Sequence, residues 1–250
     1  VAILDADILL LNPDWSTEAL RALDHSLIVQ PFEQALFLDS DAVVPPGRMT
    51  RTTQRSVASL VASGRPPGDL LGPQGGQGRG IASPGLAWVH RREVLERHGL
   101  FECCIVGGGD TANAAASFGV FEAAEQRHFM NEAQRRRYRS WAEPWHKAIE
   151  NRIGWTRGEL AHLWHGNLAD RRATARHEYL APYAFDPVAD ITALPGEPLR
   201  WATDKPALHR CVKNYFAVRN DDGPRPIRGV LILRHPWLAT DFYNGVIDWV

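Results

Sequence analysis

The chain has 250 residues, 44% of them apolar and 9% aromatic, which is enough to fill one α/β core or two small ones. Its 28 Lys and Arg residues face 29 Asp and Glu, so charge gives no reason to expect nucleic acid or an anionic membrane as partner. No apolar stretch reaches bilayer length and no basic-then-apolar leader is expected. Cys103 and Cys104 are adjacent while Cys211 is distant, a pattern without a disulfide framework or a zinc spacing, which predicts a reducing, cytoplasmic setting.

The first eleven residues, VAILDADILLL, are an apolar run broken only by Asp5 and Asp7. The run predicts a strand buried on both faces, in which the alternation of side chains points both acids the same way. Buried carboxylates need a partner, so the pair implies a cation or a strand end opening onto a cleft, and hard oxygen ligands suit Mn²⁺ or Mg²⁺. The competing reading is a pair flanking a turn, with Asn12-Pro13-Asp14 starting the next helix. Because the chain opens inside a buried strand, it is expected to be a fragment of a longer domain.

Residues 13–23 follow as a helix with Asn12 as its cap, and SLIVQPF as a strand. A second D-x-D, at Asp39 and Asp41, stands before Pro45-Pro46 and is expected to be a turn. Residues 52–63 predict a helix, and the Gly- and Pro-rich stretch 64–80 a loop. Residues 86–90 predict a strand, and 91–98 a helix closed by Gly99. Gly85 stands just before that strand, where backbone can come close to a ligand. Residues 103–106 predict a brief strand running into GGGD and a helix. A long amphipathic helical stretch is expected over 122–152, with its RRRYR run on a solvated face. GELAHLWHG predicts a strand ending at His165-Gly166, with His162 and His165 on opposite faces, unable to aim at one metal unless the end twists; His165, at the terminus, is the better ligand candidate. Residues 170–183 and 206–219 predict helices, and the strand-like runs of 228–250 have no evident place.

In this order, LDADILLLNPDW, SPGLAWVHRREVLERHGLF with IVGGGD, and HLWHG with a following DR, the chain resembles the catalytic half of a GT-A-fold nucleotide-sugar glycosyltransferase, in part similar to the β-1,4-galactosyltransferases. The resemblance covers roughly residues 1–190, leaving 191–250 as a C-terminal extension. It implies an α/β, Rossmann-like mixed sheet flanked by helices, whose nucleotide-binding strands precede the D-x-D and are missing here. It also implies Mn²⁺ or Mg²⁺ held by Asp5, Asp7 and His165, with Asp5 shared with the donor ribose. Gly85, Ala87 and Trp88 would lie near the donor sugar, Asp110 would be the catalytic base, and Gly108, Gly109 and Trp141 would lie on the acceptor side. The partners implied are a nucleotide sugar, UDP-linked by resemblance, and a glycan or other hydroxyl acceptor. A single base in line with the leaving group implies inversion. The pattern departs from the galactosyltransferases at Cys104-Ile105-Val106 before the glycines and Thr111 after Asp110.

Three other readings compete. Residues 107–112 also satisfy the Gly-rich turn of an NAD(P)-binding oxidoreductase, although the strand before it is short and no acid-ended second strand follows. A haloacid dehalogenase-type phosphatase would want Thr or Val where Leu9 stands. A non-catalytic carbohydrate-binding fragment accounts for the nine tryptophans but not for the acids. Asp110 also stands where a helix N-cap belongs, so a purely capping role stays open.

Overall fold

The computed structural model describes residues 1–39, 50–73, 81–166, 172, 175–192 and 197–219. The opening apolar run does not form one strand. β1 (Ala2–Leu4) and β2 (Ile8–Leu10) belong to different sheets, and the turn between them carries Asp5 and Asp7. β1 is exposed along its length at a sheet edge rather than buried on both faces.

α1 (Trp15–Ala22) comes next. The Asn12 side chain accepts the Asp14 N–H at 3.0 Å, closing the turn before the helix instead of capping the helix itself. β3 (Ile28–Gln30) is wholly buried, and β4 (Gln34–Leu38) leads away from it. The helix expected over 52–63 divides. Its first part is β5 (Thr50–Ser56), whose threonines suit a strand paired with β4, and only then does α2 (Val57–Ala62) begin, with Ser56 Oγ accepting the Ser59 N–H. α3 (Pro67–Leu71) forms inside the stretch expected to be a loop. Asp41 of the second D-x-D lies outside the described residues, as do 74–80.

β6 (Ala82–Ser83), β7 (Ala87–His90) and α4 (Arg92–His98) follow, the helix ended by Gly99 at φ +61°. Residues 103–106 are a turn and not a strand. They lead into α5 (Gly109–Ser117), α6 (Phe121–Arg127) and α7 (Glu132–Ile149), so the long helical stretch is two helices with a break before Asn131. Asn131 and Gln134 form a reciprocal capping box that starts α7 afresh. The chain continues through β8 (Ile153–Trp155), β9 (Glu159–His162), α8 (Ala175–Leu180) with a 3₁₀ turn at Ala181–Tyr183, β10 (Ile191–Thr192), β11 (Arg200–Trp201) and α9 (Pro206–Val218). Residues 228–250 lie outside the described residues.

The architecture is mixed α/β. One sheet has the order β1-β7-β3-β8, a second β2-β9-β4-β5-β6, and a short pair joins β10 to β11. Parallel pairs (β3 with β8, β4 with β9, β5 with β6) sit among antiparallel ones, and helices flank the sheets. Two of the places where the chain passes between the two large sheets, 5–7 and 84–86, are bonded to each other, Asp5 N–H donating to Leu86 O at 2.9 Å. The buried Gln30 amide fixes the second crossing: its Nε2 donates to Ser83 O and, at 3.4 Å, to Gly85 O, while its Oε1 accepts the Ala58 N–H.

The main core lies between the first sheet and the helices. The small side chains of α5, Ala112, Ala114, Ala115 and Ala116, let α7 approach closely, and α7 presents Tyr138, Trp141, Ala142, Trp145 and Ile149 at helical spacing. Arg135, Arg136 and Arg137 stand on its exposed face, as the sequence predicts. A smaller cluster of Leu180, Phe185, Leu208, Val212 and Tyr215 packs α9 onto α8 and reaches Val106 beside the glycine turn. No helix among the described residues is long and apolar enough to cross a membrane.

Candidate functional site

β2 pairs antiparallel with β9, which places Ile8 opposite His162, and the Leu163 N–H donates to Asp7 O at 2.8 Å. β9 ends at His162, and the next residues leave the sheet toward Gly166 at φ +102°. Strand alternation therefore stops applying between the two histidines. His165 Nε2 lies 2.7 Å from Asp7 Oδ2 and His162 Nε2 lies 3.7 Å from the same oxygen, the two rings being 5.1 Å apart. One ligand atom from each of Asp7, His162 and His165 falls within 4.8 Å of the others.

His162 joins His165 because the strand end turns, and the group of three is Asp7, His162 and His165; Asp5 is exposed on the crossing with its backbone tied to Leu86. The cue for His162 was the H-x-x-H spacing, which brings two imidazoles together wherever a strand ends between them. His162 is buried and lies with its ring 4.7 Å from that of Phe37, its register partner on β4. His165 and Asp7 keep part of their side chains open to solvent, so the group is walled on one side and accessible on the other. Two imidazoles and a carboxylate, few enough to leave coordination positions for a substrate, are a donor set that fits a divalent transition metal.

Asp110 approaches the other crossing. A Cβ placed on Gly85 would lie 2.9 Å from Asp110 Cβ and closer still to its carboxyl group, so the absence of a side chain at Gly85 makes room for this acid. Since Asp5 is bonded to Leu86, the metal-type group and Asp110 are tied to the same pair of crossings. Helix α5 begins at Gly109 with Gly108 as its N-cap, at φ +94°, so Asp110 sits inside the first turn and not at the cap. Asp110 is itself exposed to solvent. Burial raises its pKa above the usual carboxylate value, against the opposing pull of the Arg176 guanidinium. A carboxylate whose pKa is raised is a stronger base than a free one.

The remaining expected site residues lie as follows. Ala87 is buried in the strand, among Phe32, Ala35 and Leu160. Trp88 packs against the main core, with its indole N–H donating to Pro84 O at 2.8 Å. Trp141, expected on the acceptor side, is a core residue: it stacks on Trp145 at 5.3 Å and donates to His98 O and Gly99 O. A side chain so enclosed presents no face to a sugar. Gly108 and Gly109 open α5 beside Asp110, where the sequence puts them. Cys104, next to the same turn, has its pKa pushed up to about 12, by burial first and then by Cys103, and stays a neutral thiol. No protein-family model, curated protein or solved structure matches this chain.

Proposed function

We propose that the chain is the catalytic part of a metal-dependent, inverting glycosyltransferase of GT-A type, moving a sugar from a nucleotide sugar to a hydroxyl acceptor. The observation that carries this reading is the convergence of Asp7, His162 and His165, with Asp110 packed against Gly85 on the crossing that is bonded to Asp5. Asp7, His162 and His165 would hold the ion, and the two imidazoles favour Mn²⁺ over Mg²⁺. When bound, the ion supplies a Lewis acid for the charge that develops on the donor diphosphate. Asp110 takes the proton of the acceptor hydroxyl, and a single base in line with the leaving group makes the displacement direct and inverting. Gly85, with no side chain, makes the room that Asp110 occupies.

The absence of a strand before the glycine turn argues against a dinucleotide-binding unit, which needs a strand, turn and helix in succession. Trp141 and Trp145 are buried and are not free to stack on a sugar. One other reading shares the donor set: a Zn²⁺ or Fe²⁺ enzyme that needs no nucleotide.

The test compares the wild-type protein with Asp110→Asn for Mn²⁺ binding, by electron paramagnetic resonance, and for transfer from UDP-sugars. Asp110→Asn should bind Mn²⁺ and UDP as the wild type does while kcat drops by at least about a hundredfold. Undiminished turnover in the variant removes Asp110 as base. Activity with Zn²⁺ or Fe²⁺ and no nucleotide replaces the transferase reading with the alternative.

A further inference from the structure

A second concavity lies at the other end of the first sheet. β7 leaves the 84–86 crossing and ends at His90, and β3 lies antiparallel beside it from Ile28 to Gln30, whose amide is bonded to that crossing. The residues just outside the far ends of these strands, Leu27 and Arg91, line a cleft of about 820 Å³ between the turn after α1, helix α4 and the last turns of α7. Three to four residues of strand, roughly 10 Å, therefore separate the cleft from the crossing that Asp110 approaches.

Leu27, Val94, Pro144 and Ala148 give the cleft an apolar part, and its volume is in the range that small organic ligands fill. Charged side chains make up much of the rest. Arg91 stands 3.9 Å from Glu93 and Arg152 stands 3.2 Å from Glu150, so these four answer one another. Arg97 and Lys147 line the same cleft, and among the described residues neither has a carboxylate at ion-pair distance. Asp24 is the remaining acid of the lining, which leaves two cations against one carboxylate.

Arg97 and Lys147 are exposed, and each stands in the last turn of its helix, where a cation suits the helix dipole. That role requires neither the cleft between the two helices nor a common side onto which both cations face. We propose that the cleft binds a small organic anion, a phosphate or carboxylate group carried on an apolar body. Arg97 and Lys147 take the charged end, and the surface of Leu27, Val94, Pro144 and Ala148 takes the body. An anion shared by the two side chains relieves the surplus of positive charge, whereas a cation would add to it. The site is separate from Asp7 and Asp110, and the inference does not rest on the transferase reading.

The experiment titrates the metal-free protein with phenyl phosphate, with benzoate and with benzyl alcohol, following the imidazole resonances of His25 and His98, both on the cleft lining, by NMR and the heat by calorimetry. Saturable shifts of both rings by an anion are expected, with binding at least about tenfold tighter than that of benzyl alcohol; the tighter of the two anions identifies the charged group. The Arg97→Gln/Lys147→Gln protein should bind that anion at least about tenfold more weakly and keep the Mn²⁺ affinity of the wild type. Rings left unshifted by both anions overturn the inference, as does benzyl alcohol binding as tightly as they do. Equal anion binding by the wild type and the double variant also overturns it and leaves Arg97 and Lys147 their helix-end role alone. A parallel loss of Mn²⁺ binding in the double variant refutes the separateness of the two sites.

Discussion

Gly85→Ala is the most discriminating substitution, because it perturbs Asp110 without touching it chemically. The added methyl would sit 2.9 Å from Asp110 Cβ, where ordinary contact begins near 3.4 Å, and it overlaps the carboxyl group more deeply. Gly85 does not occupy the left-handed region, so alanine adds no backbone strain of its own. The overlap is relieved only by moving Asp110. Its short side chain has little freedom to rotate clear, so the carboxylate shifts by about 1 Å, and a displacement of that size at a reacting group costs on the order of a hundredfold in rate. The triad ligands are unaltered, so Mn²⁺ affinity should stay within about twofold of the wild type, well short of the loss expected from a ligand change. The assay is initial-rate transfer from a UDP-sugar, with Mn²⁺ binding followed in parallel. Wild-type kcat in a folded Gly85→Ala protein refutes the clamp on Asp110, and a parallel loss of Mn²⁺ binding shows that the crossing as a whole has moved.

His162→Ala should weaken Mn²⁺ binding at least about tenfold, while Asp5→Asn should change it far less; the opposite order, by calorimetry, would restore the Asp5, Asp7, His165 site. Trp141→Ala should cost about 3–5 kcal/mol of stability in a urea titration, and a protein of undiminished stability with a raised acceptor KM would return Trp141 to the acceptor side. His90 is buried, and burial first, then the Val1 amino group, lowers its pKa from 6.5 to about 4. The unfolded chain therefore binds the proton more readily than the folded one between those values. The stability linked to His90 is complete above about pH 6.5 and falls away toward pH 4, by on the order of 3 kcal/mol. A stability that is flat between pH 7 and 4.5, or a His90→Gln protein with the same pH slope, contradicts this.

Several elements were legible in the sequence because local rules settle them. The strand Ala87–His90 and the helix Arg92–His98 with its Gly99 stop follow from period, length and one residue able to take positive φ. The solvated arginine face of α7 follows from helical spacing, and the placing of Asp110 behind its glycines is written in GGGD itself. Tertiary structure decided the rest, because it depends on which partner each backbone segment finds. β1 and β2 read as one apolar run, yet β7 takes the first part and β9 the second, and the switch of partner makes Asp5-Ala6-Asp7 a crossing. β9 ends at His162, and that ending is what sends His165 back to Asp7; alternation alone would have kept the two histidines apart. Trp141 is on the right face of an amphipathic helix for either a core or an open cleft, and only the closeness of the alanine-rich α5 turns that face inward. The stacking of His128 on His177 over Gly108 has no local signature, since residues so far apart in the chain meet only through the packing of the elements that carry them.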